Sequence, residues 1–351
     1  MRRLTVFSLC AALCGAAQAV PAGRPAGPSQ LSPGAELARS VEAAVGDVFA
    51  KTSPAVVRVE SEDEFGKVAG TGFFADADGT VYTLSSVVGD GTAIMVTHAD
   101  KKSPARLLAK DDRSGIALVK VESADPTPFL IKGDCANVQT ATPLVVVGFP
   151  FDLAITPSYG VVGGLDRQAQ GRFFATTHFR ANIPVQRGQG GSPVLDLDGS
   201  VVGVLVSGFE GGSGCYILPM RAAEKALVDF ARFGDVRHGW AGVTLQEISP
   251  TPEGARMAID VIDPAGPAAQ DFRTGDVVLQ VGDITIRDPE DAVDAAFFLT
   301  AGQRIPVRVA RDGEILEIAF TPGEHPLDRK PSMQALGPGS LMGVPRPVSA
   351  P

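Results

Sequence analysis

Aromatic residues are scarce, at 6% of the chain with one Trp and three Tyr, whereas Gly (40) and Pro (27) abound. That balance favours many short strands joined by turns over long packed helices. Positive charge is also short: 31 Lys plus Arg face 40 Asp plus Glu, a net charge of −9. A protein built to grip phosphates carries the opposite sign, so nucleic acid is excluded as a general partner. Only four cysteines and four histidines occur, with no Cys-x-x-Cys and no His pair at ligand spacing. A metal site is unsupported, and no cofactor motif appears. Beyond the first residues no long apolar run exists, which argues against stable membrane insertion. A length of 351 residues admits about two domains with tails.

Met1-Arg2-Arg3 is a basic start, Leu4 to Ala17 is apolar, and Ala17-Gln18-Ala19 has the small-x-small form of a signal-peptidase site. Residues 1–19 are expected to be a signal peptide and the mature protein to be exported, periplasmic or secreted. A membrane anchor competes with this reading, but the apolar stretch is short for a bilayer and prolines follow at once. Cys10 and Cys14 would leave with the leader. Cys135 and Cys215 remain; they could pair in an oxidising compartment or serve as two separate small core residues.

Residues 20–33 read as a linker and 34–52 as a helix, with Ser32-Pro33 as its start and Leu37, Val41, Val45 and Val48 as one stripe. From Val56 to about Leu218 short β-rich runs follow one another, Leu144-Val145-Val146-Val147 among them, and indicate antiparallel barrels or sandwiches. A helix is expected from Ala222 to Phe233. The domain from 53 to 234 is then followed by a second from 235 to 322, with strands around Val243, Ile259, Val278, Val307 and Ile315 and a helix at Pro289–Leu299. The proline-rich stretch 323–351 reads as a disordered tail. Asp76-Ala77-Asp78-Gly79 and Asp196-Leu197-Asp198-Gly199 look like calcium-loop openings, but neither has the closing Glu an EF-hand needs, and both read as hairpin turns.

Ser53-Pro54-Ala55-Val56-Val57, Gly70-Thr71-Gly72-Phe73-Phe74, Gly148-Phe149-Pro150-Phe151, Tyr159-Gly160-Val161-Val162 and Leu197-Asp198-Gly199-Ser200-Val201-Val202-Gly203 keep order and spacing. With Asp78–Thr83 and Ile217-Leu218-Pro219 they resemble the trypsin-like protease domain of the HtrA/Deg family from about Ser53 to Met220. The resemblance implies a double β-barrel with an active site between the barrels.

The catalytic positions depart from the family. Its N-H-V-V segment matches Ser85-Ser86-Val87-Val88, its T-D-I-A-L matches Ser114-Gly115-Ile116-Ala117-Leu118, and its G-N-S-G-G-P matches Gly188-Gln189-Gly190-Gly191-Ser192-Pro193. Ser86, Gly115 and Gly190 therefore stand where base, orienting carboxylate and nucleophile would be, with Gly188 and Gln189 as a remnant of the oxyanion loop. Hydroxyl nucleophiles need a base near neutral pKa, a group to orient it and an exposed hydroxyl; a serine cannot be the base, and two glycines offer no functional atoms. Ser192 lies two positions past the nucleophile site, and His98, His178, His238 and His325 read as ordinary histidines.

Gly239-Trp240-Ala241-Gly242-Val243, Pro264–Ala269 and Thr274–Asp283 resemble an HtrA-type PDZ domain. PDZ domains add a peptide strand to a sheet edge and hold its carboxylate on backbone amides. The resemblance assigns that role to Gly239, Trp240, Ala241, Gly242 and Val243, with Thr244 and Leu245 on the pairing strand; Trp240 could equally be a core residue.

The expected fold is mostly β: a trypsin-like double barrel followed by an α+β PDZ domain. The expected function is that of an exported pseudoprotease in protein quality control, binding polypeptide C-termini or unfolded proteins. An active HtrA-type protease and a second copy of the chain are further partners the family admits. An active serine endopeptidase with an atypical site, and a structural spacer, are the alternatives.

Overall fold

The computed structural model describes residues 32–326, apart from 64–65, 91–92, 124, 170–171 and 210–211. The expected signal peptide, nearly all of the 20–33 linker and the tail beyond Pro326 lie outside the described residues. The chain divides into two compact units at Glu42/Ala43. Helix α1 (Pro33–Thr52) begins where the Ser32 hydroxyl accepts from the Ala35 amide at 3.3 Å, with proline in its first turn; Val48 and Thr52 are its buried residues.

Six antiparallel strands close a first barrel: β1 (Val56–Asp63), β2 (Gly66–Phe74), β3 (Thr80–Leu84), β4 (Ile94–His98), β5 (Lys101–Asp111) and β6 (Ile116–Val121), in the order β1-β2-β3-β6-β5-β4. Helix α2 (Ser85–Val88) is a single turn directly after β3. A second barrel uses β7 (Pro143–Gly148), β8 (Thr156–Ala169), β9 (Arg172–Ala181), β10 (Pro193–Leu195), β11 (Val201–Gly208) and β12 (Cys215–Pro219). Its order, β10-β11-β12-β9-β8-β7, repeats the connectivity of the first.

The β-branched runs explain both closures. Val57, Val59, Val81, Ile116 and Val119 are fully buried in one barrel, and Leu144, Val146, Val194 and Ile217 in the other. The polar strand β5 is absent from the sequence expectations because Lys101, Lys102, Arg106 and Lys110 mask it; pairing with β4 and β6 on its two sides imposes it. The two Asp turns are hairpins. Asp76 Oδ1 accepts from the Asp78 and Thr80 amides at 3.0 Å, and Asp196 Oδ1 accepts from Asp198 and Ser200 at 3.0 and 2.9 Å. The carboxylates that suggested calcium thus close their own turns.

Helix α3 (Met220–Phe233) buries Ala222, Ala223 and Ala226 in a core shared by the two barrels and ends at Gly234, whose φ of 75° is the left-handed stop. A third sheet follows: β13 (Val243–Glu247), β14 (Met257–Ile262), β15 (Val277–Val281), the short β16 (Ile284–Thr285), helix α4 (Pro289–Phe298), β17 (Ile305–Arg311) and β18 (Glu314–Phe320). The path β13-β14-β15-β17-β18 leaves β13 at an open edge. Asp288 caps α4 by accepting from the Asp291 amide, ahead of Pro289 in the first turn.

Cys215 is fully buried and Cys135 half-buried, and both thiols are free. Burial pushes the Cys215 thiol up to about 12, which makes it an inert core group.

Candidate functional site

The fold brings Ser86, Gly115 and Gly190 into one cleft. The Ser85 amide donates to Gly115 O at 2.7 Å, which ties α2 to the loop between β5 and β6. A Cβ at Gly190 would stand 3.0 Å from Leu84 Cδ1, the residue just before α2. The three segments are therefore neighbours, and these positions carry one exposed hydroxyl, on Ser86, and two glycines.

Thr71 on β2 joins this cleft to the second barrel. Its amide donates to Gly190 O at 2.9 Å and its hydroxyl to Gly188 O at 2.8 Å, while the hydroxyl accepts from the Phe149 amide at 3.1 Å. The amides of Gly188 and Gly190 donate to no acceptor among the described residues. Beside them Val185, Arg187, Leu205 and Phe209 line a cavity of about 310 Å³. Two amides without an acceptor thus face the edge of a cavity in the loop that carries Gly190. Gln189 is not a group of the cleft: it is buried, and its Oε1 accepts from the Gln186 amide at 2.7 Å to hold the loop.

Among the described residues, Ser192 and the four histidines are engaged or placed elsewhere. Ser192 is fully buried and its Oγ has no hydrogen-bond partner, so it cannot meet a substrate. His98 Nε2 contacts Pro54 O at 2.8 Å, and His178 Nδ1 contacts Thr176 O at 2.8 Å. Burial pushes the His178 imidazole below its ordinary value, favouring the neutral ring beside Phe174. The His325 ring stacks edge-on against Trp240.

The fourth histidine has a partner the sequence does not reveal. His238 Nε2 lies 2.8 Å from Asp111 Oδ1, and Asp111 Oδ2 accepts from Ser114 Oγ at 2.6 Å. Asp111 sits between the two, so Ser114 and His238 are not a nucleophile–base pair; the contact is a clasp between the first barrel and the third sheet. Further polar contacts reinforce the junction. Asp294 on α4 accepts from the Thr177 amide at 2.9 Å and from the Thr176 hydroxyl. The buried Lys225 bridges Asp229 at 2.5 Å, Thr300 and Arg237 O at 2.8 Å.

Burial alone would raise the Asp111 carboxyl, but the hydrogen bond and charge of His238, the Ser114 hydroxyl and the Arg113 amide outweigh it and hold it below the usual range. A carboxyl lowered in this way stabilises the folded state above its unfolded value near about 4, and that contribution fades as pH falls through the folded value. Asp111→Asn should therefore lower the melting temperature at pH 7, with the gap to wild type narrowing as pH drops below about 4. Circular-dichroism melts across that range check this; an equal loss at every pH would assign the effect to packing alone.

Between β13 and α4 runs an apolar groove of about 470 Å³, lined by Val243, Leu245, Ile259, Ile286, Val293 and Leu299. Gly239, Trp240, Ala241 and Gly242 close its end at the start of β13. The Gly239 amide donates to Leu299 O at 2.7 Å and the Trp240 amide to Gly323 O at 2.8 Å, so both donors are occupied. The Ala241 and Gly242 amides have no acceptor among the described residues. Val243 and Leu245 turn toward the groove, while Thr244 is exposed beside them. The half-buried Trp240 packs on His325 and lines the groove, but its amide is taken by Gly323 O and is not open to a carboxylate.

The family model of a trypsin-like peptidase domain matches residues 70–204, and that of a PDZ domain matches 240–321. Two six-stranded barrels followed by a PDZ sheet define the class: a trypsin-like protease fold carrying one PDZ domain. The chain belongs to the HtrA family. It is 27% identical over 312 residues to a protein of Halomonas elongata named "Probable periplasmic serine endoprotease DegP-like", covering 85% of this chain and 65% of that one. A protein of Pseudomonas fluorescens with the same name is 30% identical over 278 residues, covering 74% and 57%. The chain thus spans between about half and two thirds of the length of these curated relatives. Among solved structures, an HtrA-type protease, AlgW with tripeptide, superposes at a TM-score of 0.67 with 20% identity, covering 80% of this chain and 97% of that one. A serine endoprotease from Yersinia pestis gives 0.58 and 23%, over 80% and 98%.

Proposed function

We propose that this protein is an exported, non-cleaving HtrA relative that binds the C-termini of polypeptides in its PDZ groove. The observation that carries the proposal is the contrast between its two sites. The cleft keeps the backbone frame of a triad with no base, carboxylate or nucleophile on it. The groove keeps an open strand edge, an apolar bed and two free loop amides. Hydrolysis depends steeply on the missing side chains, whereas strand addition needs only what the groove retains. The peptide-bound structures of the HtrA-type neighbour support a polypeptide ligand. The basic start, the Ala17-Gln18-Ala19 pattern and the names of the relatives support action in the periplasm.

An antiparallel peptide beside β13 would place its C-terminus at Val243, against the Ala241 and Gly242 amides. A fluorescein-labelled decapeptide ending in Ala-Leu-Val should bind at least about tenfold tighter as the free acid than as the C-terminal amide, since a charge-assisted hydrogen bond contributes roughly 1.5–3 kcal/mol. Fluorescence polarisation measures this. Equal binding of acid and amide, or none, would overturn the groove's role and favour a spacer.

A further inference from the structure

One residue at the carboxylate end of the groove does not belong to the PDZ domain. Arg113, on the loop between β5 and β6, lines the same groove as Gly239–Gly242. The Asp111–His238 clasp explains its position. His238 immediately precedes Gly239, and its Nε2 lies 2.8 Å from the carboxylate two residues before Arg113. The clasp therefore brings this loop to the end of the groove where a terminal carboxylate would sit. The neighbouring charges are engaged elsewhere: Asp111 with His238 and Ser114, Asp112 with Lys110 at 3.6 Å, Lys225 with Asp229 at 2.5 Å. Arg113 is exposed, and its guanidinium enters no hydrogen bond or ion pair with a described residue.

We infer that Arg113 reads the terminal carboxylate of a peptide held in the PDZ groove, so that a cation of the first barrel completes a site whose amides and apolar bed come from the PDZ domain. The inference rests on the groove being a reader of C-termini. It adds that a bound C-terminus is gripped from both sides of the junction. The barrel loop it engages is the one that carries Gly115 and is anchored to α2 through Ser85. Guanidinium matches carboxylate geometry with paired N–H donors, which an exposed lysine would reproduce only as a point charge.

Arg113→Met in the full chain should weaken binding of the free-acid decapeptide about fivefold and leave the amidated peptide unchanged, the modest size reflecting solvent exposure. Arg113→Lys should recover part of the loss. In wild type, the preference for acid over amide should shrink between about 50 and 500 mM salt more than in Arg113→Met. Fluorescence polarisation with both peptides separates the outcomes. If wild type shows no preference for the acid, the groove reading itself fails. If wild type shows the preference and Arg113→Met keeps it in full, or loses acid and amide binding equally, Arg113 does not read the carboxylate.

Discussion

Gly191→Ala should destabilise the protein by about 4 kcal/mol, near the upper end for a single substitution. Gly191 has a φ of 87°, where a side chain costs roughly 1–2 kcal/mol. Its Cβ would also stand 2.2 Å from Thr71 O, with Thr83 Oγ1 at 3.0 Å and the Leu84 amide nitrogen at 3.3 Å. Two of those atoms are backbone, so no rotamer change relieves the overlap. The loop must move off β2, and Thr71 would lose its bonds to Gly188 and Gly190, which hold the barrels together at the cleft. Gly234→Ala is the control: its φ is 75°, yet nothing lies within 4 Å of the added carbon, so only the backbone strain of about 1 kcal/mol applies. Urea denaturation followed by circular dichroism measures both. Equal losses would show that the seam at Thr71 yields easily.

Installing the family's side chains, as Ser86→His, Gly115→Asp and Gly190→Ser together, should leave peptidase activity at least about a thousandfold below that expected of an intact triad. The backbone at these positions does not suit the new side chains. A serine at 190 presses its Cβ to 3.0 Å from Leu84 Cδ1, and an aspartate at 115 must adopt a φ of 74°. Positioning errors of this kind act directly on rate because the reacting atoms require close alignment. Labelling with a fluorophosphonate probe and turnover of a peptide substrate report the outcome; activity within about tenfold of an intact triad would show that the cleft tolerates immediate repair.

The barrels and the PDZ sheet were legible because their signals are local. Runs such as Leu144–Val147 and Val201–Val206 announce buried strands, and Asp–Gly turns separate them. Motif order singled out Ser86, Gly115 and Gly190, because a glycine or serine at a fixed place in a pattern is visible without coordinates. The long-range contacts were not. Nothing near Asp111 in the sequence points to His238, and nothing near Arg113 points to the groove at Gly239, since each contact joins parts of the chain far apart in sequence. Trp240 and Gly239 carry a PDZ pattern, but only the bonds to Gly323 and Leu299 show that their amides are already occupied. Strand β5 was hidden for a related reason: its lysines follow solvent exposure, and its neighbours alone make it a strand.

The most direct test of a binder that does not cleave is to incubate the purified protein with unfolded casein and follow the substrate by mass spectrometry. Casein of unchanged mass after prolonged incubation, as in the buffer control, is the expected result. Peptide products that grow with protein concentration, and vanish on treatment with a serine-directed inhibitor, would contradict it.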